Sequence, residues 1–365
     1  MLRQAARRNN VAASSATRNK DFFRHCDCRI AILDKWKLLR TFADFPKFFK
    51  TFLVTAKMTK HFIDLDKIEA KELLKILALA KKLKKEKTPA KQAKLLPHKN
   101  LAMIFEKTST RTRVSFEVGM NQLGGHAVVM NKNDMQLGKG ESVEDTAKVL
   151  SRFVDAIMIR SNAHQTILDL AKHATVPVIN ALSDFSHPCQ IIASLLTIEE
   201  HLGKISGKKL AWFGDANNVL NSYIHAAKAF GFELAIATPK EFDFCNAEIK
   251  KAVKLGAKIS YFSDAKKAAK DADVLITDTW FSMGDEAEKN DAIKQKKINV
   301  LSPYQVNAGL MKVAKKSAIF THCLPAYRGF EVTAGVIDSK QSVVFDEAEN
   351  RLHAQKAILV WALGE

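Results

Sequence analysis

Residues able to do chemistry gather directly after short apolar runs. Behind Leu101–Phe105 the chain reads Glu106-Lys107-Thr108-Ser109-Thr110-Arg111-Thr112-Arg113, with Val114, Phe116 and Val118 continuing at helical spacing. Hydroxyls, free backbone N–H groups and a guanidinium at a helix N-terminus make an anion cradle without a Gly-rich loop, and a phosphate fits it. The same residues also suit an N-cap with surface arginines. Arg160 ends the run Asp155–Ile159; an unpaired buried guanidinium is costly, so an anionic ligand is the reading it supports. Ser186-His187-Pro188-Cys189-Gln190 opens a further helix, in which His187 and Gln190 stand one turn apart and could face one cleft. A His before Pro also serves as an ordinary cap.

Three more segments follow the same rule. Gly214-Asp215-Ala216-Asn217-Asn218 ends a strand and opens a helix, and it is not a GxGxxG dinucleotide fingerprint. Asp278-Thr279-Trp280-Phe281-Ser282-Met283-Gly284 offers a carboxylate and then a Gly-containing loop, and His322-Cys323-Leu324-Pro325 places a thiol after another strand. A buried Cys is ordinarily an inert small hydrophobe unless a neighbour moves its pKa from about 8.5.

These segments need a scaffold, and the apolar runs supply one. His126–Met130, Pro177–Asn180, Lys209–Gly214, Glu233–Thr238, Ala257–Phe262, Asp273–Thr277 and Ala318–His322 join the two runs above, alternating with helical patterns. Strands alternating with helices imply right-handed crossovers and a parallel sheet. Ligands of such sheets collect at the carboxyl ends of strands, which is where the chemistry-bearing residues stand. Asp66 to Lys85 predicts an amphipathic helix with Ile68, Leu73, Leu74, Leu77 and Leu83 on one side and a capping box from Asp66 to Glu69. A helix over Pro188–Leu202 ends at Gly203, and Glu347–Leu363 reads as a last helix with Ala348, Leu352, Ala354, Ala357, Ile358 and Trp361 to pack. The Lys-rich stretch 81–99 reads as solvated surface.

The 365 residues are 47% hydrophobic and 26% charged, enough for about two cores and incompatible with disorder as the main state. No charge-free apolar run reaches the roughly 18 residues that a membrane helix needs. Cys26, Cys28, Cys189, Cys245 and Cys323 are too few for a disulfide scaffold and lack zinc-finger spacing, so neither a disulfide framework nor a metal site is expected. Of the net charge of +18, half lies in residues 1–57, which hold 13 Lys+Arg against 4 Asp+Glu. The first twenty residues carry Arg, Ser and Ala and no acid, the composition of an organelle leader, and Met58 opens a segment that looks like a fresh start. Residues 1–57 are expected outside the fold. A basic arm for nucleic acid or acidic membrane is the alternative that charge alone suggests.

Taken together and in order, Ser109-Thr110-Arg111-Thr112-Arg113, His187-Pro188-Cys189-Gln190, Asp278–Gly284 and His322-Cys323-Leu324-Pro325 resemble the carbamoyltransferases, and within them the ornithine carbamoyltransferase branch. The resemblance runs from about Met58 to the C-terminus. It implies an α/β protein of two domains, each a parallel sheet flanked by helices: 58–200 for carbamoyl phosphate, 201–345 for L-ornithine, with 346–365 a helix returning to the first. It implies a homotrimer, cytoplasmic in arginine biosynthesis, or mitochondrial if 1–57 is a cleaved leader. No cofactor, metal, nucleic acid or membrane partner is implied. By motif match Ser109, Thr110, Arg111 and Thr112 hold the phosphate, and Gln136, Arg160, His187, Gln190 and Arg351 surround the carbamoyl group. Asn218, Asp278, Ser282 and Met283 hold the amino-acid end of ornithine, and Cys323 with Leu324 sits at the reacting centre. Arg111, His187, Asp278 and Cys323 are the catalytic candidates.

The chemistry suits those roles. An amine attacks a carbonyl whose developing charge His187 and an arginine would stabilise, and phosphate leaves. The amine, with a pKa of about 10.4, must lose a proton first. Cys323 near Asp278 is the candidate for proton handling, with a purely positional role as the alternative. The Ser282-Met283-Gly284 loop would close over the amine and exclude water. An aspartate-accepting relative needs basic groups for a second carboxylate, whereas this loop offers an acid. A basic nucleic-acid-binding protein on the same fold is the reading from another class, and no nucleic-acid motif accompanies it.

Overall fold

The computed structural model describes residues 59–137, 139–242, 245–281 and 290–364. Ser282, Met283 and the loop read as a cover, like the extension 1–57, lie outside the described residues.

The first half carries four parallel strands, β1 (Asn100–Phe105), β2 (His126–Asn131), β3 (Ala156–Arg160) and β4 (Val178–Leu182), in the order β2-β1-β3-β4. The second carries β5 (Lys209–Phe213), β6 (Glu233–Ala237), β7 (Lys258–Phe262), β8 (Val274–Thr277) and β9 (Ile319–Thr321), also parallel, in the order β7-β6-β5-β8-β9. All nine lie on the apolar runs of the sequence. β1 and β3 are buried because crossover helices cover both faces. In each sheet the chain reverses its direction of growth once, between β1 and β3 and between β5 and β8. Those two crevices are where loops part and a ligand can enter.

The helix Pro188–Leu202 joins the halves. Pro188 starts it at the position where a missing N–H costs nothing, and Gly203, at φ 73°, stops it. The last helix, Val344–Leu363, returns to pack on Pro188–Leu202, Ala70–Lys85 and Thr110–Gln122. Ala354, Ala357, Ile358 and Leu359 supply the apolar part of its contact.

Two sequence expectations change. In Ala70–Lys85 the buried face is Leu73, Ile76, Leu77, Ala80 and Leu83, while Leu74 is 49% exposed. A stripe at i, i+3, i+4, i+7 and i+10 leaves Leu74 on the outer edge. The Asp66–Glu69 capping box does not form, because Asp66 bonds Lys251 Nζ at 2.7 Å and Lys67 Nζ at 3.2 Å.

The return helix also buries Lys356, whose Nζ donates to Gln92 Oε1 and Gln122 Oε1, both at 2.8 Å. Burial lowers its pKa from 10.5 to about 8. A lysine depressed in the folded state binds fewer protons there than when unfolded, so its contribution to stability rises with pH between those two values. Urea melts should show the full-length protein gaining stability on Lys356→Met from pH 8 to 10, by up to about 3 kcal/mol. A pH-independent difference between the two would refute the buried-charge account.

Candidate active site

After β1 the backbone turns outward, and Glu106 ties that turn to the one after β3 by accepting from Ser161 Oγ and the Asn162 N–H, both at 2.7 Å. Ser109 then caps the helix Thr110–Gln122, its hydroxyl accepting the Thr112 N–H at 3.3 Å. Thr112 is fully buried and accepts from Arg351 Nη2 at 2.7 Å, which joins the return helix to the phosphate turn. Arg160, the last residue of β3, is 8% exposed. His187 caps Pro188–Leu202 and donates its backbone N–H to Ser222 Oγ at 2.7 Å.

Among the described residues, Nε of Arg111, Arg160 and Arg351, Nδ1 of His187 and Oε1 of Gln190 are all buried without a hydrogen-bond partner. Their mutual fields show that they converge. Burial, then Arg351, lowers Arg160 to about 10, while Cys323 raises it and Arg111 lowers it. Arg351 is itself lowered, first by burial, with Arg111 among the neighbours opposing its charge. Burial followed by Arg351 and Arg160 pushes His187 far below the ordinary imidazole value. The arginines stay charged at neutral pH and His187 stays neutral. Leaving several buried polar atoms idle is costly unless a ligand takes them; an anion with a carbonyl beside it answers the donors, and an N–H on that carbonyl group answers the acceptor Gln190 Oε1.

The second half brings the opposing wall. Asp278, at the end of β8, accepts from Asn217 Nδ2 at 2.7 Å and from Cys323 Sγ at 3.1 Å. Burial and then Asp278 push the Cys323 thiol well up, so it stands protonated at neutral pH and is a donor. Leu324 takes φ 57°, a left-handed conformation held by its N–H donating to His322 Nδ1 at 2.8 Å. Asn218 uses its amide on the Ser183 carbonyl at 2.6 Å, and Asn221 donates to Phe185 O at 2.9 Å. These bonds, with His187 to Ser222, lock the helix Asn218–Phe230 onto the loop after β4.

Of the residues singled out by sequence, Arg111, Thr112, Arg160, His187, Gln190 and Arg351 stand in one cluster with Cys323 and Asp278 beside it. Ser109 and Thr110 stand at the mouth of the same turn. Gln136 is exposed beyond β2, its carbonyl accepting the Lys139 N–H at 2.8 Å, and is not in this cluster. Sequence reading passed over Glu347. Its buried carboxyl accepts from Gln190 Nε2 at 2.8 Å, from Ser194 Oγ, and from the His322 N–H at 3.1 Å. Its signal was its place one helical turn before Arg351, on the same face.

Residues 60–200 match the carbamoyl-phosphate-binding domain, and residues 206–362 the Asp/Orn-binding domain, of aspartate/ornithine carbamoyltransferases. The chain belongs to the aspartate/ornithine carbamoyltransferase family. It is 56% identical over 304 residues to ornithine carbamoyltransferase of Brucella abortus, covering 83% of this chain and 96% of that protein. Ornithine carbamoyltransferase of Methanospirillum hungatei is 53% identical over 303 residues, 83% of this chain and 99% of the relative. The solved ornithine carbamoyltransferase of Pyrococcus furiosus superposes with a TM-score of 0.78 at 50% identity, over 84% of this chain and 97% of that one.

The idle arginines give a measurement with two readouts. Arg160→Met should weaken carbamoyl phosphate binding by about tenfold to a hundredfold, the loss expected for charge-assisted hydrogen bonds of about 1.5–3 kcal/mol. The free protein should melt no lower, because an uncompensated buried charge is gone. Arg113→Met, at an exposed arginine 3.5 Å from Glu117, should alter neither. Calorimetry and thermal melts decide; a variant that melts lower and binds normally would make Arg160 structural.

Proposed function

We propose that this protein is an ornithine carbamoyltransferase, transferring the carbamoyl group of carbamoyl phosphate to the δ-amine of L-ornithine to give L-citrulline and phosphate. The observation that carries the reading is the facing of two opposite chemistries: three guanidiniums whose Nε atoms are buried and idle on one wall, and the Asp278 carboxylate with the Cys323 thiol at 3.1 Å on the other. The first suits a dianion. The second suits an amine and repels the second carboxylate of an aspartate.

In this mechanism Ser109, Thr110, Thr112 and the helix N-terminus receive the phosphate, with Arg111 neutralising it. Arg160, Arg351, His187 and Gln190 orient the carbamoyl group. The neutral His187 imidazole and a guanidinium donate to the carbonyl oxygen as the amine nitrogen bonds to carbon and negative charge builds there. The carbon–oxygen bond to phosphate then breaks, and phosphate departs with the bridging oxygen, its electron pair and the proton that the newly bonded nitrogen sheds. Bringing two substrates into register in a dry cleft lowers the barrier without a covalent enzyme intermediate.

Asp278 receives the amine, Asn218 the amino-acid end, and Ser282 and Met283 complete that side. Cys323 is a positional group here. A thiol held far above its ordinary pKa does not accept the amine proton; it donates to Asp278 and fixes that carboxylate. Leu324 borders the carbamoyl group. Residues 58–200 and 201–345 are taken as the two substrate halves, with 346–365 as the return helix. The family resemblance supports a homotrimer, with the exposed Gln136 completing the pocket once copies assemble, and a cytoplasmic enzyme of arginine biosynthesis. A mitochondrial matrix protein is the alternative if residues 1–57 are a cleaved leader.

Full-length protein given carbamoyl phosphate should form citrulline with L-ornithine and no product with L-aspartate or putrescine. Turnover should rise from about pH 6 to 9 as the amine deprotonates. Cys323→Ala should reduce kcat while leaving that rise in place; a rise that disappears would return the proton to Cys323. Asp278→Asn should lower kcat/KM for ornithine at least about a hundredfold with carbamoyl phosphate affinity retained. Equal turnover of aspartate would remove the ornithine assignment.

A further inference from the structure

A second cluster of metal-ligating side chains stands apart from the catalytic cleft, where the segment before the first helix meets the second half. Phe62 pairs with Ile179 of β4, and the chain then makes a short turn, Leu65–Lys67, with Asp64 and Asp66 on either side of Leu65. Both acids turn toward His225, on the helix Asn218–Phe230. His225 Nδ1 lies 3.8 Å from Asp64 Oδ1 and 3.8 Å from Asp66 Oδ1. Among the described residues all three of these atoms are buried without a hydrogen-bond partner. His225 is 8% exposed and Asp64 2%, so bulk solvent does not reach these two side chains.

The outer atoms of the same groups are all held. His225 Nε2 is 3.1 Å from Glu248 Oε2. Asp64 Oδ2 is 3.1 Å from His164 Nε2, and Asp66 Oδ2 accepts from Lys251 Nζ at 2.7 Å. Lys251 also reaches Glu248 Oε2 at 3.3 Å. A carboxylate on one nitrogen of an imidazole fixes the proton there and turns the lone pair of the other inward. Here the inward nitrogen faces two carboxylate oxygens that nothing else uses. Two metal–ligand bonds of about 2.0–2.2 Å span at most about 4.4 Å, so an ion on His225 Nδ1 is within reach of either acid at its 3.8 Å separation. Asp66, His225 and Glu248 also line a cavity of about 270 Å³ walled by Leu65, Ile224 and Leu255, which supplies a route in.

We propose that Asp64, Asp66 and His225 form a binding site for a divalent first-row metal ion, with Glu248 orienting the histidine. One imidazole with two carboxylates suits Mn²⁺ or its neighbours. The ligands come from the first half and the second, so the ion braces the junction between them. The site shares Asp66 and His225 with the close group of ligand atoms from Asp66, His225 and Glu248, and is separate from the close group of Asp278, His322 and Cys323, which contains a thiol.

The test is Mn²⁺ alone, added to the full chain and followed by loss of the free-ion electron paramagnetic signal. Mn²⁺ prefers oxygen and imidazole to sulfur, which separates the two clusters. One ion per chain is expected, with nitrogen coupling in the spin-echo spectrum and a raised melting temperature, all retained in Cys323→Ala. Glu248→Gln should weaken binding about tenfold to a hundredfold, and His225→Ala and Asp66→Asn should abolish it. Circular dichroism without metal checks each variant's fold, and Asp66→Asn, which keeps the side-chain shape, carries the result if His225→Ala does not fold. No stoichiometric binding by the parent protein overturns the proposal. So does binding that survives folded Asp66→Asn, or that disappears only in Cys323→Ala.

Discussion

Arg111, Arg160 and Arg351 hold like charges close together, Arg160 and Arg351 buried and Arg111 partly so, and among the described residues no carboxylate pairs with them. Such an arrangement is unfavourable by itself, since burial already depresses Arg160 to about 10 and each guanidinium opposes the others. It persists because each comes from a separately stabilised element. Arg111 stands on the first turn of a helix capped by Ser109, Arg160 ends a strand paired on both sides, and Arg351 rides a 20-residue helix packed against three others. The core that fixes those elements carries the cost of the cluster, and a dianion removes it. Preorganised positive charge is thus the stored part of the binding energy.

The other parts follow from keeping that charge in register with the acceptor wall. The two sheets reverse at β1/β3 and β5/β8, and the loops from both crevices open toward each other. Ser222 to His187, Asn218 to Ser183 and Asn221 to Phe185 fasten one helix of the second half to the loop that ends the first. Glu347 fastens the remaining pieces. Its pKa raised by burial, it bonds Gln190 on the carbamoyl side and the His322 N–H just before Cys323 on the amine side. One carboxyl therefore sets the spacing between the two walls, one turn from Arg351.

Much of this was legible from residue order. Nine apolar runs became nine strands: seven are buried along most of their length, as a strand covered on both faces has to be a short continuous apolar stretch, while β2 and β7, partly exposed at the sheet edges, still keep a short apolar run. Pro188 and Gly203 marked their helix to the residue, since each acts through its own backbone geometry. The site motifs were readable because strand ends are where a parallel sheet presents ligands. Leu74 was misplaced because the buried stripe runs through Leu73, Ile76, Leu77, Ala80 and Leu83, and local periodicity does not say on which side of Leu73 that stripe lies.

Sequence by itself determined the α/β alternation, the residues at the strand ends and the family, because these are recorded in neighbouring positions. Only tertiary structure decided that the Cys323 thiol is a donor to Asp278, that Glu347 ties Gln190 to His322, and that Gln136 stays outside the cluster. It alone placed Asp64 and Asp66 against His225, about 160 residues further on. Burial, field and orphaned lone pairs belong to groups brought together from distant parts of the chain, so no local pattern carries them.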